Sequence, residues 1–279
     1  MELHSTHLIN FNNYDHNFCE SSIYSNNKHP EYINALSSLF ITFIGINALV
    51  KQLVYREHGK ELNSFLHSIL YSALIVNGIA SSLYHYYNNI GWGLMDRISM
   101  IIIAMSSVIL FQSIINSILI LEKYKNIIII NNIINIIITS YFTILFTIAG
   151  LHMESLFNIM FSIFLIFLVF MVYIINTHFK MLEIPYQLVI LSNRGILYVT
   201  ISGMFWIITE LLCNKFTFIK YLFGHVWWHI FVSYGGYLIS LIPLYVCMKQ
   251  NNYKIKINIV YDNFNIPYLI FNRGVLLVI

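Results

Sequence analysis

The stretch 154–177, ESLFNIMFSIFLIFLVFMVYIINT, decides the fold. After Glu154 it carries no charged residue, and its apolar character is continuous rather than alternating. About 20 continuous apolar residues are what a helix needs to cross about 30 Å of hydrocarbon, whereas a barrel strand alternates. Comparable stretches recur at 33–50, 63–86, 92–121, 127–149, 186–213 and 222–247, which makes seven. Only helices and closed barrels satisfy their backbone polar groups in lipid, so the expected fold is an all-α, seven-transmembrane helix bundle.

Composition agrees. The chain is 58% hydrophobic and 10% charged, against about a quarter charged in soluble domains. So few charges cannot cover a water-facing surface, and the mean hydropathy is positive. The net charge of +3 comes without a basic tract, so no nucleic-acid partner is expected. No obligate protein partner is evident either. Asn131, Asn132 and Asn135, in an Ile-rich run, read as helix-packing contacts.

The expected organisation is an N-terminal segment 1–32, a transmembrane domain 33–247 and a C-terminal tail 248–279. Residues 1–31 lack the basic start and apolar core of a cleavable signal. An odd number of spans places the termini on opposite sides. Loops on the N-terminal side carry Lys28, Arg97, Lys215 and Lys220; the other side carries Lys51, Arg56, Lys60, Lys123, Lys125, Lys180, Lys249, Lys254, Lys256 and Arg273. Arg194 is left inside the sixth span. The excess of positive charge predicts a cytosolic C-terminus and a lumenal N-terminus.

That alternation gathers residues scattered along the chain. Ser81 and His85 end the second span, Asp96 begins the third, and His225 and His229 begin the seventh. The last pair stands in GHVWWHIF, and i, i+4 spacing puts both imidazoles on one helix face. Ser81 and His85 have the same spacing. Ionisable groups inside lipid are costly and mark functional sites. Three neutral imidazoles suit Zn²⁺ and leave a fourth position open, as catalytic zinc requires. His67 and His178 are expected at the interface, and His152 has no spaced partner. Cys19 and Cys213 fall on the same face, which permits either a disulfide or two free thiols; Cys247 falls on the opposite one.

These residues resemble the alkaline ceramidase family, within the seven-span hydrolases that also include adiponectin-receptor-like proteins. The resemblance rests on GIASSLYH (78–85), DRISM (96–100) and HVWWHIFVSYGGYL (225–238), together with NFCESS (17–22) and PEYIN (30–34). It implies zinc on His85, His225 and His229, with Ser81 and Asp96 catalytic. It also implies calcium on Asn17, the Phe18 carbonyl, Glu20, Ser22 and Glu31, and it favours a Cys19–Cys213 disulfide. Asn17 stands where the family has Asp, Ser22 where it has Asn, Arg97 where it has Glu, and Thr209, beside Glu210, where it has Asp. Without the resemblance, Glu20 and Glu31 read as acidic residues favouring a helix start.

The resemblance implies a zinc-dependent amidase in the membrane of the endoplasmic reticulum or Golgi, acting on ceramide drawn from the bilayer. Trp228, beside a ligand, is a candidate for the substrate pocket. The alternative is a receptor on the same zinc core, with weak or no hydrolysis. A transporter would show repeats or broken helices, and neither is seen.

Overall fold

The computed structural model describes residues 19–23, 30–54, 62–121, 127–151, 153–213, 215–251 and 255–273. Seven helices are long and apolar enough to cross a membrane among the described residues. They are α1 (Tyr32–Val54), α2 (Leu62–Tyr87), α3 (Ile90–Leu121), α4 (Ile127–Gly150), α5 (Glu154–Thr177), α6 (Tyr186–Leu212) and α7 (Gly224–Asn251). Each starts and stops close to its expected bounds. The chain is an integral multi-pass membrane protein built as a seven-helix bundle.

The faces explain the packing. On α5, Phe157, Phe161, Phe164, Met171, Val172 and Ile175 are buried, while Ile159, Ile163, Ile166, Phe170 and Tyr173 are exposed. A soluble protein could not expose that second row; here it meets lipid. One core cluster joins α1, α2, α3, α5, α6 and α7. A second joins α3, α4 and α5 with Trp228 of α7. Between α3 and α4, the Gln112 amide donates to Asn135 Oδ1 at 2.8 Å, the packing contact expected of that asparagine.

Two close approaches set the helix spacing around the site. A Cβ on Gly78 would lie 2.5 Å from the Thr42 nitrogen and 2.8 Å from the Ser38 oxygen, so α1 and α2 touch backbone to backbone there. Gly195 and Gly235 do the same for α6 and α7, each facing the other's carbonyl oxygen at 2.6–2.7 Å. Small residues allow such contact between membrane helices.

The turn between α2 and α3 is short. Asn88 takes a left-handed φ of 48° between α2 and α3, a conformation asparagine tolerates. Asn89 Oδ1 accepts the Gly91 N–H at 2.8 Å and caps α3. His85 and Asp96 are thereby held at one end of the bundle.

The expected tail 248–279 is more structured than its mixed composition suggests. An antiparallel hairpin, β1 (Ile255–Tyr261) paired with β2 (Pro267–Arg273), folds back onto the bundle. Ile266 and Leu269 join the main core. Asp262 organises the turn, accepting the N–H groups of Phe264 at 2.9 Å and Ile266 at 2.8 Å. It also pairs with Lys51 at 2.5 Å and accepts from the Asn47 amide at 3.2 Å. The Phe264 ring meets Phe43 edge-on at 5.5 Å, so the turn reaches midway along α1.

Candidate metal centre

His85 closes α2, and His225 and His229 open α7. One ring nitrogen from each lies within 4.8 Å of the others, and all three residues are buried. The ring centroids are 4.6 Å apart for His225–His229, 4.8 Å for His85–His225 and 5.4 Å for His85–His229. The expected convergence of α2 and α7 is therefore realised.

The partners of these rings favour metal binding. His85 Nδ1 lies 2.6 Å from Glu31 Oε2, and both side chains are almost wholly enclosed. His229 Nδ1 lies 2.9 Å from Ser37 Oγ and 3.3 Å from Ser38 Oγ. His225 Nδ1 faces Glu210 Oε1 at 3.7 Å. The Nδ1 atoms of His85 and His229 thus lie within hydrogen-bond distance of an oxygen, which fixes those two rings and leaves their Nε2 for an ion, while the 3.7 Å from His225 to Glu210 is longer than a hydrogen bond. Three buried imidazoles arranged in this way fit Zn²⁺.

The start of α7 is held by α6. Thr209 Oγ1 would sit 1.9 Å from any Cβ on Gly224, so only glycine fits. Thr209 therefore packs, and its neighbour Glu210 turns to His225. Glu210 also accepts the Cys19 N–H at 2.9 Å, joining the N-terminal segment to the site.

Ser81, Asp96, His225, His229 and Trp228 line one cavity of about 180 Å³. Ser81 Oγ accepts from Ser38 Oγ at 3.2 Å. Asp96 Oδ1 accepts from the Asn77 amide at 2.6 Å. The same amide group lies 3.2 Å from the Asp96 carbonyl oxygen and 3.1 Å from Ser99 Oγ. Trp228 is buried and stacks on Trp206, with centroids 5.2 Å apart, and Trp206 meets His225 edge-on. Arg97 is buried and also lines the cavity.

Sequence reasoning missed several of these residues. Asn77 had a signal: it precedes Ser81 by four and His85 by eight, on the same face of α2. Ser37, Ser38 and Trp206 had none, since only helix packing brings them to the rings. His67 was expected at the interface; it is wholly buried against Tyr71 instead. His152 lies outside the described residues.

The calcium expectation gains no support. Asn17 and Phe18 lie outside the described residues. Glu20 accepts the N–H groups of Ile33 at 2.8 Å and Asn34 at 2.7 Å, capping α1. Glu31 holds His85. Ser22 Oγ donates to the Cys19 carbonyl at 2.7 Å.

Cys19 and Cys213 come together in a small buried cluster with Ile219, as free thiols. Burial pushes the Cys19 thiol pKa well up, and the neighbouring Cys213 and Glu210 push it further.

The model of the Ceramidase family matches residues 13–270, nearly the whole chain and every residue of this site. The chain belongs to the Ceramidase family. No curated protein sequence matches it. Ceramidase membership makes a hydrolase the reading that the buried histidine cluster has to serve.

Proposed function

We propose that the protein is an intramembrane zinc-dependent amidase that hydrolyses ceramide, an N-acyl sphingoid base, to the sphingoid base and a fatty acid. The observation that carries this reading is the opening of His225, His229 and the Asn77-held Asp96 onto one largely apolar cavity. Zinc held by His85, His225 and His229 would polarise the amide carbonyl and lower the pKa of water to near neutral.

The chain's own residues do the rest. Asp96 takes the proton of the attacking water, and Asn77 keeps its carboxylate aimed into the cavity. Ser81 donates its hydroxyl hydrogen to the oxygen on which charge develops. Asp96 then returns the proton to the departing amine, so the C–N bond breaks with protons balanced. Trp228 and Trp206 wall the reactive end. The cavity runs down among α3, α5 and α7, where an alkyl chain replaces lipid contacts.

In this reading the N-terminal end is lumenal, the chain leaves α7 on the cytosolic side, and the membrane is that of the endoplasmic reticulum or Golgi. Oxidation of the adjacent Cys19 and Cys213 to a disulfide suits that side. No step is assigned to calcium.

The test is mass spectrometry of ceramide incubated with the purified protein and zinc, beside Asp96→Asn and His225→Ala. Asp96→Asn should keep its zinc and lose activity by about 10²–10⁴-fold. His225→Ala should lose both. Parallel loss of zinc and turnover in Asp96→Asn would make Asp96 a structural residue and refute its role as base.

A further inference from the structure

We propose that the C-terminal hairpin, by backing Tyr71 and Tyr237, closes the lower end of the reactive cavity on the side of α1 and α2 and sets the length of hydrocarbon chain the protein accepts. The proposal rests on the amidase reading for the identity of the ligand, an unbranched alkyl chain whose polar end lies at the histidines.

The cavity runs from the histidines to Tyr71, Tyr237, Ser240 and Pro243. At about 1.5 Å per residue, Tyr237 lies about 12 Å and Pro243 about 21 Å below His229 along α7, and Tyr71 about 15 Å below Ser81 along α2, so Tyr237 stands in the lower wall and Tyr71, with Pro243, at the cavity's end. Below them is a second, small void of about 20 Å³, lined by Ala48, Gln52, Tyr71, Tyr237, Tyr268 and Leu269. Tyr71 and Tyr237 therefore have the cavity on one side and the hairpin's void on the other.

This partition is held in place. Tyr237 donates its hydroxyl hydrogen to the Pro267 carbonyl of β2 at 2.6 Å. Tyr71 Oη lies 3.0 Å from Ser240 Oγ. The two rings are 6.4 Å apart and tilted by 51°. Tyr71, Tyr237 and Leu269 are almost fully buried. Rings held at both ends in a close-packed interior do not give way to an extra methylene. The hairpin is itself anchored to α1 through Lys51 and Asp262.

Two experiments on the whole purified protein test this. First, N-acyl sphingoid amides carry a photoreactive group at the far end of either the acyl chain or the sphingoid chain. Crosslinks to the peptides of Tyr71, Tyr237 or Ser240 from one of the two probes support the floor and tell which chain reaches it. Crosslinks from neither probe overturn it, and this arm needs no variant.

Second, lipids of graded chain length compete for retention on wild type, Tyr71→Val and Leu269→Ala, each with its zinc content measured. The ratio of long to short lipid retained should rise by roughly fourfold for each methylene newly admitted. A zinc-loaded variant with an unmoved profile overturns the proposal. Retention needs no turnover, so a shifted profile without hydrolysis would sink the amidase reading and leave the floor. Hydrolysis with an unmoved profile would do the reverse.

Discussion

Replacing Glu31 with Gln keeps the size of the side chain and removes its charge at a fully enclosed position. The change falls on the 2.6 Å contact with His85 Nδ1. The Glu31 N–H, which donates to the His85 carbonyl at 3.0 Å, belongs to the backbone and is untouched. A partner that orients a metal-bound histidine is worth about 10–100-fold in metal affinity, or roughly 1.4–2.7 kcal/mol. A hydrogen bond to a charged group, valued independently, gives about 1.5–3 kcal/mol. The two ranges overlap, so zinc affinity should fall by about 10–100-fold while the fold survives. The assay is competition for zinc against a chromophoric chelator, with ceramide turnover measured at each free zinc level. Turnover should recover when zinc is raised. Unchanged zinc affinity with a lost response to calcium would refute this reasoning and return Glu31 to the calcium set.

Asn77→Ala removes the amide that holds Asp96 and should lower kcat by about 10–100-fold with little change in KM or zinc content; a loss confined to KM would refute the positioning role. Burial pulls the Asp262 pKa upward, but the bonds from Lys51, Ile266, Asn47 and Phe264 outweigh it and hold it at about 2, below an ordinary 3.8. Its stabilisation of the hairpin is therefore present above about pH 4 and lost as pH falls through about 2, so limited proteolysis of the hairpin should accelerate across that window and Asp262→Asn should flatten the response. Peptide mapping without reductant, on protein extracted from its membrane, should find Cys19 linked to Cys213; two alkylatable thiols in the unfolded chain would exclude the bond.

The path by which the site became legible differs from residue to residue. His225 and His229 needed only the period of a helix. Asn77, Ser81 and His85 share one face by the same rule, and Asn77 was overlooked because an amide among apolar residues resembles the packing asparagines of α4. Glu20 and Glu31 show the limit. Their spacing from one another could be read, but not whether they face calcium, a helix end or a histidine. Glu20 caps α1 and Glu31 holds His85, and both outcomes depend on where α1 meets α2 and the 3₁₀ turn over Cys19–Ile23.

The amino-acid order alone determined the seven spans, because lipid leaves no choice about where apolar helices begin and end. It also determined which side chains share a helix face. Only the tertiary structure decided which faces meet: Ser37 and Ser38 reach His229 because α1 and α2 touch at Gly78, and the hairpin reaches Tyr237 because Asp262 finds Lys51 on α1. Helix periodicity is local and repeats every few residues, whereas contacts between helices depend on the shapes of segments far apart in the chain, which no single stretch contains.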